Sequence, residues 1–289
     1  MSDQTIRLAL QIAVAIVMLG MGLSLSIQDF TSIAKKPKPV IIGVVNQIVL
    51  LPSLAFVICL IVGLSPGIAI GLMLIAAAPG GPVSNMYTNL AKGDLALSVS
   101  LTAVTSLLCI LSIPIILSLS LNYFLDTSNP DFVLDKQEII TTLLLVILVP
   151  VATGMTINKY FPNFSLKVEK SVRIFSVIIL AIIIVGAIIA KKDLLLKALP
   201  LAGTAIILLN IVTMALGYFS GKWFKLPENQ RISIAIECGI QNGTLALSIC
   251  AIGVLANIEE AVLAPAIYSV WQFFSGAGIS YLAYKRNQS

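Results

Sequence analysis

One carboxylate in this chain sits where water does not reach. Of its 13 acidic residues, 12 fall in or at the edges of polar stretches between apolar runs, and Glu237 falls inside an apolar run near 231–255. A carboxylate at bilayer depth costs about 2.5–3.5 kcal/mol on insertion scales, so it persists only with a partner. No Lys or Arg lies at comparable depth in any apolar run. The partner is therefore a proton, a set of hydrogen-bond donors, or a bound cation. Gln241 follows Glu237 by one helical turn, and Gln47 offers another amide oxygen from the first half of the chain. Ser84, Asn85, Ser98 and Thr102 add hydroxyl and amide oxygens, with Ser98 and Thr102 on one helix face at i and i+4. Each hydroxyl alone reads as helix glue. Gathered around a carboxylate, they form an all-oxygen cage suited to a hard cation rather than a soft transition metal.

Other chemistry is limited by what the chain lacks. It has no histidine, which excludes serine–histidine triads, HExxH zinc sites and histidine proton relays. The four cysteines, Cys59, Cys109, Cys238 and Cys250, lie in apolar runs without metal-ligand spacing and read as small buried hydrophobes. One carboxylate with no basic partner is a poor catalytic set, so no enzyme is expected.

The elements that must position these residues are membrane helices. The chain is 58% hydrophobic and 11% charged, against about 25% charged in soluble domains. Spans of about 20 apolar residues fall near 6–26, 40–62, 67–91, 94–121, 138–157, 172–190, 199–219, 231–255 and 261–283. The first reads as a span rather than a signal peptide: Asp3 precedes it and no small-x-small cleavage site follows. Assigning loops to alternate sides puts 13 of the 18 basic residues on one side and 5 on the other. The positive-inside rule then predicts a cytoplasmic C-terminus, an external N-terminus and an odd number of spans, which nine satisfies. The net charge of +5 thus reports topology, and no nucleic-acid partner is expected.

Two spans are interrupted. PGGPVSN at 79–85 breaks the third, and ECGIQNG at 237–243 breaks the eighth. Each proline removes a backbone donor, and Pro82 suits the first position of a new half-helix. Non-helical backbone at membrane depth is tolerated where it is buried or lines a wet cavity. A simple proline kink would explain one break; two polar breaks, one in each half, point to a binding site. Gln47-Ile48-Val49 precedes the first broken span and Asn210-Ile211-Val212 the second. Pairing spans 1–4 with spans 6–9 reverses orientation and leaves span 5 unpaired, which predicts inverted-topology repeats with the site between them.

These motifs carry a resemblance. PGGPVSN, LAKGDLALSVSLTAVTS and ECGIQNGTLALS, flanked by MLGMGLSLSIQDF and SVWQFFSG, resemble the bile acid:sodium symporter family over nearly the whole chain. The resemblance implies one all-α transmembrane domain over 1–289, with four- and five-span repeats. Its panel bundle would take parts of about 6–62 and 138–219. Its core would take about 40–121 and parts of 199–283, with two broken helices crossing in it. The chain resembles the nine-span form, which lacks the first panel helix. One sodium site would use Ser84, Asn85, Ser98, Thr102 and Glu237; a second would use Gln47, Glu237, Gln241 and the carbonyls of Cys238 and Ile240. Gly81, Pro82, Asn242 and Gln272 would face a small organic anion. The substrate region departs from the family pattern: several relatives have Thr or Asn where this chain has Pro82, and some have His-Asn where it has Gln272-Phe273. The implied activity is sodium-coupled transport in the inner membrane, with two sodium ions as coupling ions and no obligate protein partner. Proton-coupled or uncoupled transport on the same architecture is the alternative.

Overall fold

The computed structural model describes residues 3–26, 37–125, 144–190, 192–250 and 257–286, together with 137, 141 and 255. Several stretches named above lie partly outside the described residues: the start of the 138–157 span, the end of the 231–255 span, and the IQDF of MLGMGLSLSIQDF. Among the described residues the structure is helical, and the one pairing of extended backbone is an isolated bridge between Gly80 and Gln241.

The helices are α1 (Asp3–Ser24), α2 (Pro37–Val62), α3 (Pro66–Ala77), α4 (Pro82–Leu90), α5 (Leu95–Phe124) and α6 (Leu144–Tyr160). They continue as α7 (Pro162–Ala190), α8 (Lys192–Trp223), α9 (Glu228–Gly239), α10 (Gly243–Cys250) and α11 (Leu263–Arg286), the last entered through a 3₁₀ turn at Glu259–Val262. Four apolar helical stretches, Pro37–Val62, Leu95–Phe124, Lys192–Trp223 and Glu259–Ala283, are long enough to cross a membrane. Along α7, Ile174, Ile178, Ile182, Val185 and Ile189 are all exposed. A soluble monomer rarely presents so long an apolar stripe to water, and a membrane helix presents one to lipid.

Prolines set much of the local geometry. They begin α3, α4 and α7, where the missing N–H would be unpaired anyway. Pro52 and Pro150 each stand two residues after a π-helical turn, at Asn46–Leu50 and Leu144–Leu148. A proline ring clashes with the carbonyl four residues back, and widening the preceding turn relieves this. The first of these turns carries Gln47.

Helix α3 is buried from Gly67 to Ala77, as suits a helix apolar on every face. It packs on α2, α5 and α11 and forms the centre of the main hydrophobic cluster. Helix α9 packs on α8, α5 and α4, while α1 packs on α6 and α7. Two of the expected spans are longer than their apolar runs. Helix α7 starts at Pro162 rather than near 172, and α8 covers 192–223 rather than 199–219, because polar residues at a membrane edge stay helical while lowering local hydropathy.

Candidate functional site

The first interruption spans Ala78–Gly81, between α3 and α4, and Pro82 takes the first helical position as expected. The second is narrower than expected. Helix α9 runs on through Glu237, Cys238 and Gly239, and only Ile240–Asn242 leave helical geometry. With no proline in the segment, nothing prevents those three residues from completing the last turn. The two interruptions lie against each other. Asn242 N–H donates to Pro79 O at 2.8 Å, alongside the Gly80–Gln241 bridge. Residues from opposite halves of the chain thus meet at one crossing.

Glu237 is 1% exposed and faces this crossing from α9. Thr102 Oγ1 donates to its Oε1 at 2.5 Å, while Ser84 Oγ and Ser98 Oγ approach its Oε2 at 2.8 and 3.1 Å. Gly80 is required here: a Cβ at that position would collide with Glu237 Oε1. Asn85 is not among the hydrogen-bond partners of the carboxylate in the described residues. Its Oδ1 lies 2.8 Å from Ser98 Oγ, so it joins the group one step removed. No basic side chain is among the hydrogen-bond partners of Glu237 in the described residues.

The group is short of protons. Ser84 Oγ is also 2.7 Å from Gly81 O, so Ser84 and Ser98 each face two acceptors with one hydroxyl proton. Thr102 adds one contact, which makes five oxygen contacts (two, two and one) for three hydroxyl protons. Turning the Asn85 amide relieves one contact. The remainder is acceptor against acceptor beside an ionisable oxygen, an arrangement that a cation or an added proton completes.

On the other side of the crossing, Gln47 Nε2 donates to Ala78 O at 2.9 Å and to Gln241 Oε1 at 2.6 Å. Gln241 Nε2 donates to Cys238 O at 2.8 Å, so that expected carbonyl ligand already accepts a bond. Gln47 Oε1 is buried without a partner among the described residues. Ile240 is fully buried at the interruption itself.

The residues expected to face an anion also converge. Asn242 Oδ1 caps α10 by accepting from Leu245 N at 3.0 Å, the usual role of an N-cap Asn. Gln272 Oε1 accepts from Gln241 N at 2.8 Å. Each amide then has an NH₂ group, Asn242 Nδ2 and Gln272 Nε2, that is buried and unpartnered among the described residues. Gly81 lies beside Asn242, and Pro82 opens α4 next to it. The N-termini of α4 and α10 flank the interruptions, and half-helix N-termini favour negative charge.

Three contributors were not anticipated. Thr88 Oγ1 bonds Ser98 Oγ at 3.1 Å, and its position one turn after Ser84 was the available signal. Tyr268 OH donates to Gly239 O at 3.0 Å, and Trp271 Nε1 donates to Asn210 Oδ1 at 3.1 Å. Neither aromatic residue carries a sequence signal of its own.

Membrane-length apolar helices around two interrupted ones that meet at a buried carboxylate define a multi-pass membrane protein with a polar crossing at its centre. The chain belongs to the Sodium Bile acid symporter family, whose pattern matches residues 11–198. It is 31% identical over 254 residues to an uncharacterized sodium-dependent transporter of Bacillus subtilis, covering 88% of this chain and 76% of that protein. It is 29% identical over 227 residues to a probable chloroplastic sodium/metabolite cotransporter of rice, covering 76% of this chain and 51% of the relative. It is 28% identical over 268 residues to the rabbit ileal sodium/bile acid cotransporter, covering 91% of this chain and 75% of the relative. The chain thus spans about half of the rice protein and three quarters of the other two. These relatives place it among sodium-dependent transporters.

Proposed function

We propose that this chain is a sodium-coupled secondary symporter of a small organic anion, working by alternating access. The observation that carries the reading is the proton shortage at Glu237, where one buried carboxylate and three hydroxyls have more acceptors than protons. A sodium ion held by Ser84, Asn85, Ser98, Thr102 and Glu237 would relieve it. A second would sit among Gln47, Glu237, Gln241 and the carbonyls of Cys238 and Ile240, where Gln47 Oε1 lacks a partner among the described residues. The anion would bind beside Gly81, Pro82, Asn242 and Gln272, taking hydrogen bonds from two neutral amides. With no Arg or Lys at hand, the bound cations supply the countercharge, which couples anion binding to sodium.

The architecture proposed with this function has nine spans in inverted repeats of four and five, with a panel around α1, α6 and α7 and a core around the crossing. The external N-terminus and cytoplasmic C-terminus follow from loop charge, and an inner-membrane location is proposed with them. Support comes from contacts between loops assigned to one side: Ser65 with Glu260, Asp94 with Asn229, and Asn158 with the Leu25 carbonyl. A potential of 100 mV contributes about 2.3 kcal/mol per charge, about 4.6 kcal/mol for two sodium ions.

The test is uptake of small carboxylates and sulfonates into proteoliposomes. Uptake is expected to rise with external sodium and with an inside-negative potential; equal uptake in sodium and choline would sink the proposal. A proton on Glu237 would relieve the same shortage, so the second reading is proton-coupled transport. Uptake driven by a pH step without sodium would select it.

A further inference from the structure

Four contacts fix how α5 lies beside α9. Asp94 N–H donates to Asn229 O at 3.1 Å, and Ser233 Oγ donates to Asp94 O at 3.0 Å. Further along, Ser98 Oγ and Thr102 Oγ1 reach the Glu237 carboxylate. Residue numbers rise together on both helices, so the helices run in the same direction. One more turn along each brings Ser106 level with the interruption at Ile240–Asn242. Ser98, Thr102 and Ser106 are spaced by four and share a face.

Ser106 is 2% exposed, and its hydroxyl has no hydrogen-bond partner among the described residues. Other hydroxyls of α5 behave differently. Ser100, Thr105 and Ser120 donate to the carbonyls of Ala96, Leu101 and Ile116, the ordinary way a helical Ser or Thr is satisfied. A second unpartnered oxygen, Gln47 Oε1, is tied to the same level because the Gln47 amide donates to Gln241. Two buried oxygens from different helices therefore stand unsatisfied beside one interruption. An unsatisfied buried polar group calls for a bound species, and an amide oxygen with a hydroxyl oxygen, both hard ligands, suit a cation.

We propose that Ser106 is a ligand of the second cation site, acting with Gln47 Oε1 at the Ile240–Asn242 interruption. The inference rests on the sodium reading above, and its failure is separable from the failure of that reading. The experiment is thermal unfolding of the purified full chain, titrated with sodium chloride against choline chloride. The variants are Ser106→Ala, Ser106→Cys and the control Ser112→Ala. Ser112 also has an unpartnered hydroxyl, but lies about a third of a turn around α5 from Ser106 and about 9 Å further along the helix. Both Ser106 variants are expected to raise half-saturating sodium about fivefold, the scale of one lost hydrogen-bond-strength contact, while Ser112→Ala titrates like the parent. Cys nearly preserves the volume and ligates a hard cation poorly, so it carries the test if the Ala variant does not fold. If the parent chain responds equally to sodium and choline, the sodium reading falls and this inference with it. If the parent responds to sodium and both Ser106 variants, or the Cys variant alone where Ala fails to fold, match it, this inference alone is overturned. An equal shift from Ser112→Ala overturns it as well.

Discussion

Gln47 and Asn210 occupy corresponding places before the two broken helices and perform the same first task. Gln47 Nε2 ties down Ala78 O at the end of α3, and Asn210 Nδ2 ties down Gly239 O at the end of α9, at 2.9 and 2.7 Å. Beyond that they differ. Asn210 Oδ1 receives the Trp271 indole N–H, and its NH₂ also meets Tyr268 OH at 3.2 Å, so the protein satisfies it at both ends. Gln47 spends both its protons, and its oxygen has no partner among the described residues. The same device is closed by protein in one half and, among the described residues, leaves an acceptor unpaired in the other. Structural support and an unpaired acceptor can thus be separated even between two amides that tie down the end of a broken helix in the same way.

The heaviest blow to the comparison is Glu237→Gln, which removes the charge while nearly keeping the shape. Sodium-specific stabilisation in a melting titration is expected to vanish; a parent-like titration would remove Glu237 from the cation site. Next comes a matched pair of glycine changes. In Gly80→Ala the new methyl collides with the Glu237 carboxylate itself, whereas in Gly239→Ala it collides with Met214 Cγ, away from the carboxylate. Gly80→Ala is expected to lower stability by about 1–3 kcal/mol and to weaken sodium affinity about tenfold or more. Gly239→Ala should leave sodium affinity near the parent value. Equal sodium titrations of the two variants would erase the distinction between the breaks.

Gln47→Ala and Asn210→Ala sharpen the comparison further. Both unpair buried groups and should cost about 1–2 kcal/mol in denaturant unfolding. Only Gln47→Ala should raise half-saturating sodium, by about fivefold. A sodium shift from Asn210→Ala would show that the closed half also binds. The smallest effect belongs to Thr88→Val, which removes the hydroxyl bonded to Ser98 and should shift sodium affinity by about twofold.

The sequence made the interruptions legible because proline and glycine leave marks that no membrane helix can hide. Pro82 was placed at a half-helix start from its chemistry, and it stands there. The second break is narrower than its sequence suggests, since Gly239 weakens a helix without ending it, and Glu237 and Cys238 remain helical. Asn85 enters the oxygen cage from its place at the break and from the family motif, and no periodicity tells that Ser98 stands between it and the carboxylate. The caps and second partners were also invisible, because Tyr268 and Trp271 reach Gly239 and Asn210 from the last helix. Such long-range pairings have no periodicity to read.

The pairing of Gly80 with Gln241 bears on how the chain is made. Synthesis proceeds from the N-terminus, so α3 and α4 enter the bilayer long before α9 exists. During that interval the Pro79 carbonyl lacks the partner that Asn242 later provides. Each unsatisfied group in hydrocarbon costs several kcal/mol. Until α9 follows, the first interruption thus carries an unpaired carbonyl that the completed fold no longer has.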